Sequence, residues 1–387
     1  MRALFVHDHR FVVDENGRVF SKGKVKQEMF DQYLEFVESV SVLSRSTFIH
    51  SSKIDHTFSR IDNERIDFIS FKNLSNPFQL LLKKNNLKEI HKIVSGYDFV
   101  ISRLPSEIGL LAVEAAKKAC VKYAIEFVAC PWDALWNYGR LQARIYAPIF
   151  YLRNRYAVRD CHCTIYVTSS FLQSRYPCKH SSYGISDVNI VCNTLEKKEK
   201  HLNVACEQYN IGLIGSLDSP HKGIADAIKA VRLVIEAGFN VKLNILGPGD
   251  REPYISSCID IAKNINFMGS YSKSEDVQAW LSMQDLYIQP SLQEGLPRAV
   301  VEAMNCAVPV IGSNAGGLPE LLDASYIHRK RDYKKLSELI IRLLSNTQEY
   351  SRLSSHSIHV SDKYDFSKLA DRKRLVWENF FMKESIR

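Results

Sequence analysis

Apolar positions in this chain fall into short runs separated by stretches of helical period, and that alternation occurs twice. Ala3-Leu-Phe-Val6 reads as a buried first strand, and the polar residues after it as a loop carrying Gly17 and Gly23. A helix over about 26–39 is expected next, then strands at Val40–Leu43 and Asp67–Ser70 and a helix near 80–94. A short strand at Asp98–Ile101, a helix over 107–120 and strands at 121–128 and 164–168 complete the first series. Strands alternating with helices predict a parallel sheet wrapped by helices. The pattern lapses over about 186–208, a polar stretch centred on Glu196-Lys-Lys-Glu-Lys200, read as a linker. It resumes at Ile211-Gly-Leu-Ile-Gly215, with strands at 241–246, 265–267, 286–289 and 308–311 and helices over 224–237 and 277–283. A last helix spans 366–382. The fold class is α/β: two doubly wound, Rossmann-like domains facing a cleft, over 1–190 and 209–365, with a linker at 191–208 and a terminal helical segment at 366–387. In such sheets ligands bind beyond the carboxyl ends of the strands.

Composition narrows the class. A length of 387 residues suits two domains, and 45% apolar residues suffice for packed cores. No run approaches the roughly 18 apolar residues that span a bilayer. The run before His7 and Asp8 is too short for a signal peptide, so a cytoplasmic protein is expected. Nine cysteines, odd in number and irregular in spacing, imply no disulfide framework. Cys161-His162-Cys163 lacks zinc-knuckle spacing and reads as ordinary strand residues. The net charge of +8 comes without a dense basic block or a nucleic-acid-binding signature. Basic residues do gather around 139–155, where Arg140, Arg144, Arg153 and Arg155 flank Ile145, Tyr146, Ile149, Phe150 and Tyr151. That composition can lie on an anionic membrane surface. A core helix with basic ends is the reading adopted for this helix, with peripheral contact with the inner membrane surface left open.

The stretch Ser291-Leu-Gln-Glu-Gly-Leu-Pro-Arg-Ala-Val-Val-Glu-Ala-Met304 concentrates the candidate chemistry. Two carboxylates, Glu294 and Glu302, bracket a Gly-Leu-Pro turn that opens a helix, with Pro297 expected at its first position. The free N–H groups of such a helix start favour an anion such as phosphate. The carboxylates can each accept two hydrogen bonds, which suits the neighbouring hydroxyls of a sugar. Anion donors and hydroxyl acceptors on one element read as a sugar-nucleotide site. Gly215 precedes a loop from which Lys222 projects ahead of a helix, placed to neutralise a diphosphate. The segment is not a Walker loop, and Gly247-Pro-Gly249 does not continue into a dinucleotide fingerprint, because position 252 is Glu.

These residues resemble the nucleotide-sugar-binding half of the retaining glycosyltransferases of family 4, which have the GT-B fold. The similar pieces are Gly215-Ser-Leu with Lys222-Gly223, Leu246-Gly-Pro-Gly249, Pro290–Pro297, Glu302-Ala-Met304 and Gly312–Glu320. They cover about residues 210–320. The first half is similar in architecture, with local pieces like those of polysaccharide-assembly members at Ser21-Lys-Gly23, Ser102–Ser106, Cys130-Pro-Trp-Asp133 and Tyr166–Ser169. The resemblance implies that the last helix crosses back to the first domain. It implies a donor site of Gly215, Ser216, Lys222, Gly247, Gly269, Tyr271, Glu294, Gly295, Leu296, Pro297, Arg298 and Glu302. There Glu294 would hold sugar hydroxyls, Glu302 the ribose, Lys222 the departing diphosphate, and Gly269 to Tyr271 the base. Glu320 is left as a helix cap. The acceptor side would include Gly23, Arg103 and Asp133, with Asp133 orienting or deprotonating the acceptor hydroxyl; a helix N-cap is its alternative.

One departure stands out. Many members carry Arg after the glycine matching Gly215, whereas Ser216 and Leu217 stand here. Arg298 and Arg103 are the candidates for the second cation, and for Arg103 a cap or an interdomain salt bridge is the alternative. The implied reaction is retaining and needs no metal or other cofactor; no Asp-x-Asp motif is present. Its partners would be a nucleotide-sugar, with UDP preferred on prevalence, and a lipid-linked or oligosaccharide acceptor. A UDP-sugar 2-epimerase of the same architecture and a non-catalytic sugar-nucleotide-binding protein are the competing readings. His7 and His9, after the first strand, are read as loop residues.

Overall fold

The computed structural model describes residues 1–387 other than 24, 56, 75–82, 138–140, 189, 193–196, 206 and 383–387. The chain forms two compact units, Met1–Ile185 with Ala370–Arg387, and Ser186–Leu369.

In the first unit the strands are β1 (Arg2–Val13), β2 (Val19–Lys22), β3 (Ser39–Phe48), β4 (Phe58–Ile61), β5 (Ile66–Ser70), β6 (Phe99–Leu104), β7 (Lys122–Phe127), β8 (Cys163–Tyr166) and β9 (Ser181–Gly184). Seven of them form a parallel array in the order β5-β3-β1-β6-β7-β8-β9. Ala3 to Val6 are fully buried, as a central parallel strand covered on both faces requires. The first strand does not stop there. It runs on through His7-Asp8-His9 with a register shift between Val6 and Arg10, staying beside β3 and pairing antiparallel with β2 at its far end. The expected loop therefore contains a strand, and β4 extends it antiparallel. The helix expected over 26–39 is shorter, Glu28–Leu34, because the chain is already re-entering the sheet at Ser39. The helix expected from 80 is described over Lys83–Val94, and residues 80–82 lie outside the described residues.

The helix Phe366–Met382 sends its residues from Ala370 onward into this unit. Trp377 packs edge-on against Tyr33 with ring centroids 5.1 Å apart, and Phe381 meets Phe99 at 5.0 Å. Full burial of each large apolar side chain contributes roughly 2–3 kcal/mol. Lys373 adds an ion pair to the fully buried Glu126 at 3.1 Å.

The second unit has β10 (Tyr209–Ile214), β11 (Val241–Leu246), β12 (Ile265–Phe267), β13 (Leu286–Gln289), β14 (Val310–Ser313) and β15 (Ile327–His328), all parallel, in the order β12-β11-β10-β13-β14-β15. Ile211, Leu213, Ile245, Leu286 and Ile288 form the buried centre of this sheet. Two helices that the sequence reading passed over, Tyr333–Leu344 and Thr347–Asp362, belong here, each capped by a side chain: Asp332 accepts from Lys335 N, and Asn346 from Gln348 N and Glu349 N. Residue 200, in the stretch read as a linker, is tied to this unit: Lys200 Nζ donates to the carbonyls of Ser282 and Gln284. In each sheet the direction of strand progression reverses once, between β1 and β6 and between β10 and β13. Such a reversal leaves a crevice at the carboxyl ends of the two flanking strands.

Candidate functional site

The crevice of the second unit is where the candidate donor residues gather. Gly215 and Ser216 follow β10, Gly247 follows β11, Gly269 and Tyr271 follow β12, and Glu294 follows β13, so all six lie on carboxyl-end loops. The loops are laced together: Gly215 N donates to Leu246 O at 2.9 Å, Leu217 N to Pro248 O at 2.8 Å, and Gly247 N to Gly269 O at 2.6 Å.

At the centre, Lys222 Nζ donates to Glu294 Oε1 at 2.8 Å. Lys222 closes the turn Pro220–Lys222 ahead of the helix Ile224–Glu236. Gly223 sits at φ +70°, and a Cβ there would fall 2.1 Å from Pro290 O, so only glycine lets this turn press against the end of β13. Gly215 lies against the lysine stem, since a Cβ on it would stand 2.7 Å from Lys222 Cγ. Glu294 is 8% exposed, and its Oε1 also accepts from Ser291 Oγ at 2.7 Å, with Gln289 Nε2 further off at 3.4 Å. Tyr287 Oη donates to Gln289 Oε1, which orients that amide. From the far side Gly316, at φ +57°, lies so close that a Cβ would stand 2.0 Å from Glu294 O, and Gly317 N donates to Gly295 O at 2.8 Å. The Ala-Gly-Gly sequence thus buttresses the Glu294 loop from behind. Ser291 and Gln289 went unassigned in the sequence, although Ser291-x-x-Glu294 has the spacing of a capping box, which could have flagged the serine.

The helix after this loop is Arg298–Asn305, with Pro297 as its cap residue (φ −76°, ψ 107°) rather than its first residue as expected. The residue before the helix keeps extended backbone, so the first-turn N–H groups belong to Arg298 and Ala299 and, like those of any helix start, have no partner within the helix. Leu296 and Pro297 are buried and Gly295 half-buried. Arg298 reaches Glu302 Oε1 loosely, at 3.5 Å. Three polar atoms here, His221 Nδ1, Gln293 Oε1 and Arg298 Nε, are buried without a hydrogen-bond partner. Buried polar atoms are nearly always bonded, so three orphans on the elements around Lys222 and Glu294 are spare capacity for water or a polar ligand. The imidazole of His221 is held below its usual range, first by burial and then by the Lys222 ammonium. Glu320 lies in the short turn Leu318–Glu320.

The first-unit candidates are placed differently. Arg103 is 5% exposed and donates to Glu126 Oε2 at 2.6 Å, so its guanidinium is engaged in a buried pair instead of standing free for phosphate. Burial would raise the Glu126 carboxyl, yet Lys373 and then Arg103 hold it down at about 2. His7 lies within β1, with Nδ1 3.2 Å from Arg103 O, and His9 Nε2 is 2.8 Å from Ser21 Oγ; neither is a loop residue. Asp133 lies inside the helix Pro131–Trp136, whose cap residue is Cys130, which removes the N-cap reading. Its Oδ1 accepts from Arg175 at 3.0 Å, while its Oδ2 is buried without a partner. Gly23 is exposed at φ +101°. Cys161 is buried with its thiol directed at Cys163 O, and Cys163 lies in β8.

A family profile described as glycosyl transferases group 1 matches residues 208–346, which carry all of the candidate donor residues. Protein CapJ of Staphylococcus aureus is 31% identical over 353 residues, covering 90% of this chain and 88% of the relative. The capsular polysaccharide biosynthesis glycosyltransferase CapM of the same organism is 26% identical over 216 residues, 53% of this chain and 55% of the relative. Among solved structures, Anabaena HepE in complex with UDP superposes with a TM-score of 0.63 at 16% identity, covering 96% of this chain and 98% of that one. The 3-2-1-4-5-6 order of the second sheet, the same order with a seventh strand in the parallel array of the first, and these likenesses establish the GT-B fold. With that fold, a family profile matched within the second unit and a relative similar over nearly its whole length, this chain belongs to the group 1 glycosyltransferases.

Proposed function

We propose that this chain is a retaining, metal-independent transferase that moves a sugar from a UDP-linked donor to a hydroxyl of a lipid-linked glycan acceptor in surface-polysaccharide synthesis. The observation that carries this reading is the Lys222–Glu294 pair at the strand-order reversal of the second sheet. Each group satisfies the other in the free protein, and a nucleotide-sugar can replace both contacts at once. The ammonium then turns to the diphosphate, and the carboxylate accepts from the sugar hydroxyls that take the lysine's place. The start of the helix Arg298–Asn305 supplies N–H groups beside it, and Arg298 is the second cation, because Arg103 is engaged by Glu126. Glu302, one turn along, accepts from the ribose. Gly269 and the exposed Tyr271 border the base. Support for the donor comes from HepE, which was crystallised with UDP and with UDP-glucose, and support for the pathway from CapM, a capsular polysaccharide biosynthesis glycosyltransferase.

The chemistry follows from the charges. The bond between the anomeric carbon and the diphosphate oxygen breaks, leaving positive charge on the sugar and negative charge on the diphosphate. Lys222, Arg298 and the helix start meet that negative charge in a largely buried site, where fixed donors act strongly. The acceptor oxygen bonds to the anomeric carbon on the face the diphosphate leaves, and its proton passes to the departing diphosphate oxygen. Asp133 orients the acceptor hydroxyl through the Oδ2 that Arg175 leaves unpaired. A thermal-shift panel of UDP, GDP, ADP and dTDP with their sugar conjugates tests the donor. At 100 times its dissociation constant a ligand adds about 2.7 kcal/mol of stability. A shift with uridine ligands is expected; a shift confined to another base overturns the UDP assignment, and none with any ligand overturns the site.

A further inference from the structure

The helix Leu141–Arg159 turns its bulky apolar residues away from the protein. Its buried positions are the small or polar Ala147, Asn154, Ala157 and Val158. Leu141, Ile145, Ile149, Leu152 and Tyr156 are all more than half exposed. With Pro148, also exposed, they follow the spacing of one helical face and fall within an arc of about 100°, opposite the buried side. The stripe is about 22 Å long. The sequence expectation of a core helix is therefore reversed: the apolar face is the one facing solvent. At the helix's start Trp136 lies exposed and stacked on Trp132 at 5.2 Å.

The charges around the stripe are mainly basic, with Asp160 and Glu114 the acidic residues beside them. The helix holds four arginines and no acidic residue. Arg153 points inward to Glu107, but Arg144 and Arg155 are exposed along one edge of the stripe, and Arg159 stands at its end beside Asp160. Lys117, from the neighbouring helix Glu107–Ala119, lies 4.7 Å over the Tyr156 ring. A cavity of about 580 Å³ opens next to it, lined by Leu152, Arg153, Tyr156 and Lys117 and by Lys83 and Lys118, which both pair with Glu114 in the same lining. Arg140, part of the same basic group in the sequence, lies outside the described residues.

We infer that this face seats on an anionic phospholipid bilayer, with the stripe entering the acyl boundary and Arg144, Arg155 and Lys117 at headgroup level. Apolar area in the middle with cations at its edge is the arrangement that partitions to such an interface. A second copy of the chain would bring like charge against like charge, and an interface tryptophan has an apolar body and a polar N–H suited to the same depth. The surface lies in the first unit and does not depend on the donor site.

Co-sedimentation of the full chain with vesicles of phosphatidylcholine, alone or with phosphatidylglycerol added, tests this. The variants are Ile145→Glu with Leu152→Glu, and Arg144→Gln with Arg155→Gln, all at exposed positions that should leave folding intact. The wild type should partition to the anionic vesicles, and the apolar pair of changes should weaken that partition at least about tenfold. The arginine pair should flatten its dependence on salt. Partition unaffected by the apolar changes, or no stronger for anionic than for neutral vesicles, overturns the proposal. So does a wild-type dimer that the apolar changes dissociate without any vesicle binding, which would assign the face to a second copy. A nucleotide thermal shift measured on the same proteins keeps the readings apart: its loss with vesicle binding retained would sink the transferase site and leave this surface standing.

Discussion

Replacing Lys222 by alanine separates the lysine's structural contribution from its chemical one. In the free protein its ammonium lies 2.8 Å from Glu294 Oε1, with the two side chains 31% and 8% exposed. Removing one partner of a fully buried pair costs about 3–5 kcal/mol, and losing an exposed pair costs about 0.2–1 kcal/mol. Here the lysine is a third exposed, and Glu294 keeps Ser291 Oγ at 2.7 Å. A loss of about 1–2 kcal/mol is therefore expected, lowering Tm by roughly 2–4 °C per kcal/mol for units of this size. The variant stays folded at assay temperature. Its turnover should fall about 10²–10³-fold, the usual effect of removing one donor to a developing oxyanion. Donor affinity should change much less, because the interaction strengthens only as the diphosphate leaves. The assay is initial-rate transfer with saturating donor, run with and without EDTA, alongside donor binding by calorimetry. Lys222→Arg, which keeps the charge, should recover part of the loss. A folded Lys222→Ala enzyme with turnover within about threefold of wild type would refute the reasoning, and a strict metal requirement in the wild type would refute the assignment of the charge to Lys222 and the helix start.

Glu302→Ala should weaken nucleotide binding about 10- to 100-fold, the size of losing charge-assisted hydrogen bonds to the ribose; unchanged affinity would remove Glu302 from that role. Gly316→Ala must place a Cβ 2.0 Å from Glu294 O at a left-handed φ, so we expect a loss of about 2–4 kcal/mol and weaker donor binding together. A wild-type melt and affinity would show that the buttress is dispensable. Acid should loosen the first unit in two stages. Burial, and then Arg103, lowers His7 from 6.5 to about 3, so the unfolded chain takes up a proton that the folded one refuses. Stability therefore falls as pH drops from 6.5 toward 3, by at most about 1.4 kcal/mol per pH unit. The depressed Glu126 carboxyl contributes stability above its ordinary 4.5 that is lost as pH falls from there toward 2. Melts at about pH 7 and pH 5 should differ more for wild type than for His7→Gln; an equal difference would exclude His7 as the source.

Much of the second unit was legible because its strands are apolar runs bounded by glycine or proline. The spans Val241–Leu246, Ile265–Phe267 and Leu286–Gln289 were readable to the residue. The helices at 333–344 and 347–362 went unread although Leu336, Leu339, Ile340 and Leu343 repeat at helical spacing. The continuation of β1 was hidden for a physical reason. Its residues His7 to Arg10 are polar, and they stay in the sheet because β3 continues alongside them past Leu43. The short β2 and β4, Val19–Lys22 and Phe58–Ile61, pair with each other, and β2 with the end of β1, which no local pattern reports. In the site, residue types marked Lys222 and Glu294, but the supports around them were visible only in three dimensions. Gly316 is a turn residue in sequence and a backbone spacer in space. The helix Leu141–Arg159 shows the limit most plainly. Period 3.6 reveals that an apolar face exists and not which way it points, and the inward side proved to be built from Ala147, Ala157 and Val158.

The ribosome delivers residues 370–382 only after the whole second unit has been made. Until then a nascent first unit, otherwise complete at Ile185, lacks Trp377 and Phe381 over Tyr33 and Phe99, and Glu126 has lost one of its two cations. The half of the chain synthesised first is therefore the half that closes last. A fragment ending at Ile185 would be an unfinished intermediate rather than a domain, exposing aromatic surface of the kind that chaperones hold. Dissection of this enzyme should fuse the closing helix to the first unit through a linker instead of cutting between the two.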